Sequence, residues 1–159
     1  MFYRQRFSLA TVLFLMLGCQ TQSPGTPRPN SIRWKVYENS VAGYSLIYPD
    51  VYTVEESYQG NTVQFSYGDR VAVAVHWASE DSENSDGLWF ERPADRKVPF
   101  AGGIGDVFDY ISYSGLTGTR TLAYVIPRHG DFLGLEFKTD HVDLNSVQAM
   151  TLSSFNLLD

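Results

Sequence analysis

The feature of this sequence that most constrains its fold is a period of two in its apolar residues, which begins near residue 32 and continues almost to the C-terminus. Val, Ile, Tyr and Phe alternate with polar residues in short runs, and pairs such as Gly68-Asp69 and Gly130-Asp131 separate these runs as turns. The predicted strands cover residues 32–37, 44–48, 51–54, 62–67, 70–77, 107–113, 119–126 and 132–138. Strands outnumber helices, so the pattern predicts an α+β fold built on an antiparallel sheet.

The longest interruption of this pattern is the stretch of residues 79–105, which begins with SEDSENSDG and ends with AGGIG. A connection of more than about 12–15 residues without regular structure is usually functional or mobile. Pro93 and Pro99 leave room for only a short helix around Ala94. Residues 102–105 (GGIG) lack the preceding strand and the Lys of a phosphate-binding loop, so we expect a flexible loop there.

A single helix is predicted near the C-terminus, over residues 144–152. Leu144, Val147 and Thr151 fall on one face of such a helix, and Asp143 is placed to cap its N-terminus. The segment that follows is too short to form more than a closing strand or a tail.

The N-terminus carries the pattern of an export signal. Two arginines precede an uncharged apolar stretch over residues 7–17, which is too short to span a bilayer but suits the core of a signal peptide. The stretch meets Gly18-Cys19, which resembles the bacterial lipobox, where a signal peptidase cuts before a cysteine that then carries acyl chains such as palmitate. The prediction is a lipoprotein signal peptide over residues 1–18 and lipidation of Cys19.

A polar spacer follows the cysteine. Residues 19–31 are rich in Pro, Ser and Thr and are expected to be a semi-extended linker, so that residues 32–159 form the single folded domain. In Gram-negative bacteria an Asp directly after the lipidated cysteine favours retention in the inner membrane, and the Gln20 found here favours the outer membrane. We therefore expect a protein of the bacterial cell envelope that is anchored by lipid.

The charge of the domain limits its partners. The whole chain has a net charge of −6, whereas residues 32–159 hold nine Lys and Arg against eighteen Asp and Glu, a net charge of −9. Such a domain is not expected to bind nucleic acid or to adhere to anionic headgroups through its charge, so attachment to the membrane falls to the acyl chains. Because Cys19 is the only cysteine, no disulfide forms within the chain.

Two short motifs resemble the PsbP-like proteins, a family that contains an extrinsic subunit of photosystem II. Residues 43–49 (GYSLIYP) resemble the opening motif of that family, and residues 152–157 (LSSFNL) resemble its helix-to-strand ending. The resemblance implies an α-β-α sandwich that binds or scaffolds and transfers no catalytic residue. Tyr52 stands where the family usually has Trp, and residues 79–105 lack the amphipathic helix that the family often places there. Nothing in the sequence implies a role in photosynthesis.

The candidate metal ligands do not form a recognisable site. Four carboxylates lie close together in the central stretch, but their spacing does not fit an EF-hand and is typical of a solvated acidic loop. They are Glu80, Asp81, Glu83 and Asp86. The three histidines, His76, His129 and His141, are scattered and do not pair at ligand spacing. No metal and no cofactor is predicted.

The sequence also lacks a catalytic motif. Ser112 and Ser114 are not framed as G-x-S-x-G, and acylation of Cys19 would leave no thiol to act as a nucleophile. The residues best suited to recognition are Trp89, Phe90 and Arg92, because aromatic residues beside an Arg are enriched at interface hot spots. The alternative is that Trp89 and Phe90 fold back and cover the sheet.

Three functions remain open at this point. The first is a membrane-tethered envelope lipoprotein that acts as a non-catalytic binding or accessory module and meets a protein partner of the envelope. The second is a carrier of a small apolar ligand in a lipocalin-like β-barrel, although the long central interruption of the strands disfavours a barrel. The third is an uncharacterised hydrolase, disfavoured because no catalytic constellation is visible.

Overall fold

Two antiparallel sheets and one helix make up the described part of this computed structural model, which comprises residues 32–57, 61–78, 92–114 and 116–158. The smaller sheet has the order β1-β2-β10, with β1 (Trp34–Asn39), β2 (Tyr44–Pro49) and β10 (Asn156–Leu157). The larger sheet has the order β3-β4-β5-β9-β8-β7-β6, with β3 (Thr53–Ser57), β4 (Thr62–Tyr67), β5 (Arg70–Ala78), β6 (Arg96–Phe100), β7 (Gly103–Ser114), β8 (Thr117–Arg128) and β9 (Asp131–Thr139). The helix α1 spans Ser146–Ser154.

The larger sheet is open, because its two outermost strands, β3 and β6, each pair with a single neighbour within the described ranges. This arrangement confirms the predicted α+β class with an antiparallel sheet and few helices. The lipocalin-like barrel is wrong as an alternative, since a barrel requires the first and last strands of the sheet to pair with each other.

The core lies between the two sheets. Tyr44 and Tyr48 of β2 are buried against the larger sheet, where the ring of Tyr48 lies 5.0 Å from that of Phe65. Phe155, which follows α1, stacks on Tyr44 at 5.4 Å and on Phe100 at 5.2 Å. The motif at residues 43–49 and the C-terminal motif therefore meet in one aromatic core. Burial of these aromatic side chains is the main source of the stability of the domain.

The C-terminal helix begins two residues later than predicted. Asn145, rather than Asp143, is its N-cap: the side chain of Asn145 accepts hydrogen bonds from the backbone nitrogens of Val147 and Gln148 at 3.0 and 2.9 Å. The side chain of Gln148 reaches back to the backbone nitrogen of Asn145 and completes a capping box. The apolar periodicity includes Leu144 and so places the start of the helix before the capping box of Asn145 and Gln148.

The predicted irregular stretch over residues 79–105 contains regular structure in its described part. Residues 96–100 form β6, and Ala94 does not lie in a helix. Residues 103–105, expected to be a flexible loop, belong to β7, because Ala101 and Gly102 make a tight turn with φ angles of 49° and 79°. Gly105 suits this hairpin, since a Cβ there would lie 2.9 Å from Cδ1 of Phe100.

Candidate functional site

A polar cluster lies on the face of the larger sheet that points away from the smaller sheet. Side chains alternate along a strand, so Glu136, which lies between the buried Leu135 and Phe137, points to this outer face. The strand order β5-β9-β8-β7 brings polar side chains of four strands to the same place. We call the following residues the outer-face cluster: His76, Tyr110, Ser112, Thr121, Glu136 and Lys138.

Glu136 is the centre of the outer-face cluster. Its side chain is almost completely buried, and Oε1 accepts a hydrogen bond of 2.5 Å from the hydroxyl of Tyr110. Oε2 lies 3.3 Å from Nζ of Lys138 and 3.6 Å from Nε2 of His76. A buried carboxylate is tolerated only when it is paired in this way.

The neighbours of Glu136 keep it ionised. Burial on its own would raise the pKa of this carboxyl, but the hydrogen bond and charge from His76, the charge of Lys138 and the hydrogen bond from Tyr110 outweigh burial and lower the pKa to about 2. At neutral pH the cluster therefore holds a fixed negative charge beside the ammonium of Lys138.

Ser112 and Lys138 lie at a distance that suits a serine–lysine pair, but their hydrogen bonds point the wrong way for catalysis. Nζ of Lys138 donates to Ser112 Oγ at 3.1 Å, to Thr121 Oγ1 at 3.1 Å and to Glu136 Oε2 at 3.3 Å. These three acceptors use all three protons of an ammonium group. Ser112 in turn donates to the carbonyl oxygen of Thr119 at 3.2 Å. A nucleophilic serine needs a base that accepts its proton, and Lys138 does not offer one in this arrangement.

Arg92, one of the three residues expected to recognise a partner, lies against its own domain. Its Nη2 atom pairs with the carboxylate of Asp95 and donates to the carbonyl oxygen of Asp109 at 3.2 Å. Its guanidinium carbon also lies 5.7 Å from the centre of the Phe108 ring. The backbone nitrogen of Asp109 donates to Asp95 at 2.6 Å, so Arg92 and Asp95 together fix the chain to β7 just before β6 begins.

The remaining predicted site residues are placed as follows. Cys19, Trp89 and Phe90 lie outside the described residues, as do Glu80, Asp81, Glu83 and Asp86. His76 belongs to the outer-face cluster, His129 lies in the turn between β8 and β9, and His141 follows β9. Within the described ranges, no three His, Cys, Asp or Glu side chains converge to hold a metal ion.

Asp109 of β7 forms an ion pair with the neighbouring strand β8. Arg120 of the neighbouring strand β8 donates from Nε to Oδ1 of Asp109 at 2.9 Å and pairs with Oδ2 through Nη2. The hydrogen bond from Arg120 is the main cause that lowers the pKa of the Asp109 carboxyl. This bidentate pair fastens β7 to β8 near the point where their hairpin leaves the sheet.

An open groove of about 580 Å³ lies between the β6–β7 turn and α1. Its lining residues carry no ionisable side chain: Pro99, Phe100, Ala101, Gly102, Gly103, Ala149, Leu152, Ser153 and Phe155. A small-molecule site usually places a few polar groups to orient its ligand, and this groove lacks charged ones. It is apolar surface beside the core rather than an enclosed cavity for a carried ligand.

Sequence reasoning missed the outer-face cluster, although a signal for it exists. Glu136 and Lys138 interrupt the apolar strand β9 two residues apart, as Tyr110 and Ser112 do in β7. That spacing places each pair on one face of its strand. The order of the strands, which brings the two pairs together across β8, is not visible in local patterns.

Comparisons with known proteins bear on the fold. No family model matches the chain, and no curated protein matches it. Among solved structures, the cyanobacterial PsbP (CyanoP) of Synechocystis sp. PCC 6803 matches 84% of this chain and 98% of its own length, with a TM-score of 0.52 and 16% identity. A crystal structure from Bacteroides thetaiotaomicron VPI-5482 matches 79% of this chain with a TM-score of 0.56 and 10% identity.

These likenesses establish a PsbP-like fold, as the motifs at residues 43–49 and 152–157 predicted. The match spans about half the length, 48%, of the chain from Bacteroides. In the described part of the chain, no helix is long and apolar enough to cross a membrane.

Proposed function

We propose that this chain is a membrane-tethered lipoprotein of the bacterial envelope whose PsbP-like domain is a non-catalytic accessory module. The tether rests on the sequence: an apolar stretch over residues 7–17 ends at Gly18-Cys19, the only cysteine of the chain. Two or three acyl chains on Cys19 would hold the domain at the lipid, since each buried methylene contributes about 0.8 kcal/mol.

The observation that carries the non-catalytic part of this proposal is the hydrogen bonding of the outer-face cluster. Groups suited to catalysis meet at this place in the described residues, and they form hydrogen bonds with one another. Lys138 donates all three of its protons, Glu136 is held as a carboxylate, and Ser112 accepts from Lys138 instead of donating to it. Such a network fixes the register of strands, which is what a binding scaffold requires.

The proposed contact with a protein partner lies at Trp89 and Phe90. Arg92, the third residue predicted at this contact, also makes contacts within its own domain. Its contacts with Asp95 and with the backbone of Asp109 hold the segment before β6 on the sheet, so it positions the chain there. We therefore expect Trp89 and Phe90 to contribute the free energy of partner binding. We expect Arg92 to contribute to the stability of the fold.

The test is capture of partners from the native envelope by the tethered protein, with each captured protein identified and quantified. Trp89→Ala/Phe90→Ala should lose the partner, whereas Val36→Ala/Val41→Ala should keep it. The control pair removes two apolar side chains that are 70% and 78% exposed and lie in the smaller-sheet region. Equal capture by all three proteins would remove Trp89 and Phe90 as the contact. Turnover of an ester or peptide substrate that is lost in Ser112→Ala would overturn the non-catalytic proposal.

A further inference from the structure

The exposed apolar side chains of this domain are concentrated at one end of the larger sheet. A row of paired residues, Phe65, Val73, Phe137, Leu122 and Asp109, crosses five strands and serves as a reference. Beyond this row on one side lie the β4–β5 turn, the β7–β8 turn and the end of β9. We call this side the proximal end.

The chain enters the domain at the proximal end. Trp34 pairs with Pro49, the last residue of β2, and the backbone nitrogen of Asp50 donates to the carbonyl oxygen of Arg33 at 2.8 Å. The connection from β2 to β3 runs past the same end, where the ring of Tyr52 lies 6.1 Å from that of Tyr67. Ile32, the first described residue, therefore lies at the proximal end, and the linker over residues 19–31 joins the domain there.

Seven of the eleven exposed large hydrophobic side chains among the described residues belong to the proximal end. They are Ile32 (50%), Val51 (62%), Tyr67 (64%), Ile111 (50%), Tyr113 (76%), Leu116 (105%) and Val142 (64%). The other four, Val36, Val41, Ile104 and Met150, are distributed over β1, the β1–β2 turn, β7 and α1. Isolated exposed apolar residues are ordinary, but a concentration of this kind marks a contact surface.

The most protruding part of the proximal end is the tip of the β7–β8 hairpin. The last pair between β8 and β9 is Arg120 with Thr139, so the hairpin extends beyond β9. Gly118 lets the hairpin carry an apolar patch, since a Cβ there would lie 2.8 Å from Cγ2 of Ile111 and 3.1 Å from Cε1 of Tyr113. Residues 110–119 contain no charged side chain.

The charges around the proximal end are balanced, in contrast to the domain as a whole. Its cations are Arg33, Lys35, Arg70, Arg120 and Lys138, and its carboxylates are Asp50, Asp69, Asp140 and Asp143. The net charge of −9 over residues 32–159 therefore arises elsewhere on the domain. This end can approach a lipid surface without the repulsion that the full domain charge would cause at anionic headgroups.

We propose that the proximal end lies on the bilayer that holds the acylated Cys19, with Tyr113 and Leu116 inserted at headgroup level. This inference rests on the proposed acylation. A stable protein interface needs about 800 Å² of complementary surface on each partner, whereas the two most exposed apolar side chains of this end, Tyr113 and Leu116, lie together at the tip of one two-stranded hairpin. A lipid interface demands no such fit and favours Tyr and aliphatic side chains. The linker joins the domain at the same end, so the domain need not turn over on its linker for this end to reach the bilayer.

The test uses the acylated full chain in phosphatidylcholine vesicles. Because acylation occupies the only cysteine, Leu116→Cys supplies a single thiol for an environment-sensitive fluorophore. The matched control is Val41→Cys, which is 78% exposed and lies in the β1–β2 turn, away from the proximal end. The fluorescence emission of the label at position 116 should shift to the blue and be quenched several-fold by brominated lipids. The emission of the label at position 41 should remain as it is in water.

Three results would overturn the inference. Labels at both positions that behave as in water would show that the end faces away from the lipid. A shift at position 116 that grows with protein density, without quenching by brominated lipid, would assign the end to a second copy of the chain. Absence of acyl chains on Cys19, measured by mass on the same sample, would remove the proposed function as well. Acylated protein with an unquenched label at position 116 would remove this inference alone.

Discussion

The hydroxyl of Tyr110 lies 2.5 Å from Oε1 of Glu136, although the strands that carry them, β7 and β9, are separated by β8. The contact spans β8 at Ala123, which pairs with Glu136 and is completely buried. A larger side chain at position 123 would stand between the two. The hydrogen bond therefore ties three adjacent strands together at the centre of the outer-face cluster.

Removing this hydroxyl should weaken the fold. Tyr110→Phe takes a donor from a buried carboxylate, and hydrogen bonds to charged groups contribute about 1.5–3 kcal/mol. We expect the free energy of unfolding, measured by urea denaturation, to fall by that amount. Tyr113→Phe is the control, because its side chain is 76% exposed and its loss of a hydroxyl should leave the midpoint unchanged. Equal midpoints for wild type and Tyr110→Phe would contradict the role of this hydrogen bond.

The stability of the domain should depend on the ionisation of Glu136 at acid pH. The pKa of its carboxyl falls from 4.5 to about 2 in the folded state, so the unfolded state binds the proton more readily. This contribution is complete above pH 4.5, is lost as the pH falls towards 2, and amounts to roughly 3 kcal/mol. Urea midpoints of wild type and Glu136→Gln should therefore differ most near neutral pH and converge between pH 4.5 and 2. If the difference between the urea midpoints of the two proteins did not change with pH, the lowered pKa of Glu136 would be refuted.

Gly105 should be more sensitive to substitution than Gly103. A Cβ at position 105 would lie 2.9 Å from Cδ1 of Phe100 and 3.3 Å from the carbonyl oxygen of Val125, whereas at position 103 the nearest atom would be 3.4 Å away. Gly105→Ala should lower the free energy of unfolding by about 1–3 kcal/mol through overpacking, and Gly103→Ala should have a smaller effect. Thermal unfolding measures both, and the reverse order would show that Phe100 moves aside readily.

The N-cap of α1 should be Asn145 in solution as well. Asn145→Ala should cost about 1 kcal/mol, because two backbone nitrogens lose their acceptor. Asp143→Ala, at the position favoured by the apolar periodicity, should change stability by less than about 0.5 kcal/mol. Chemical denaturation compares the two variants. A larger loss of unfolding free energy for Asp143→Ala would show that Asp143, and not Asn145, caps the helix.

Local patterns predicted most of the fold. Residues 62–67 form β4 with the predicted bounds, and the other seven predicted strands were placed to within a few residues, because period-two alternation and Gly-containing turns depend on near neighbours. β6 was missed, since Arg96, Lys97 and Pro99 give an edge strand little apolar alternation. The tight turn before β7 cannot be distinguished from a flexible loop in the sequence, because its glycines are typical of both.

The candidate sites depended on information that is not local. The sequence context of Arg92 indicates an interface anchor, because its contact with Asp95 is local but its contact with the backbone of Asp109 forms only when β7 pairs with β6. The outer-face cluster requires the order of β5, β9, β8 and β7, and the proximal end requires the row of pairs that aligns five strands. Sequence periodicity indicates which face a residue occupies and leaves its cross-strand neighbours undetermined.

The measurement that tests the central claim most directly is the mass of the mature N-terminal peptide of the protein purified from its own membrane. A membrane-tethered lipoprotein predicts that residues 1–18 are absent and that the chain begins at Cys19 with a diacylglyceryl thioether on its sulfur. In Cys19→Ala the full chain should persist without acyl chains. Wild-type protein that retains residues 1–18, or that begins at another residue with a free Cys19 thiol, would contradict the claim.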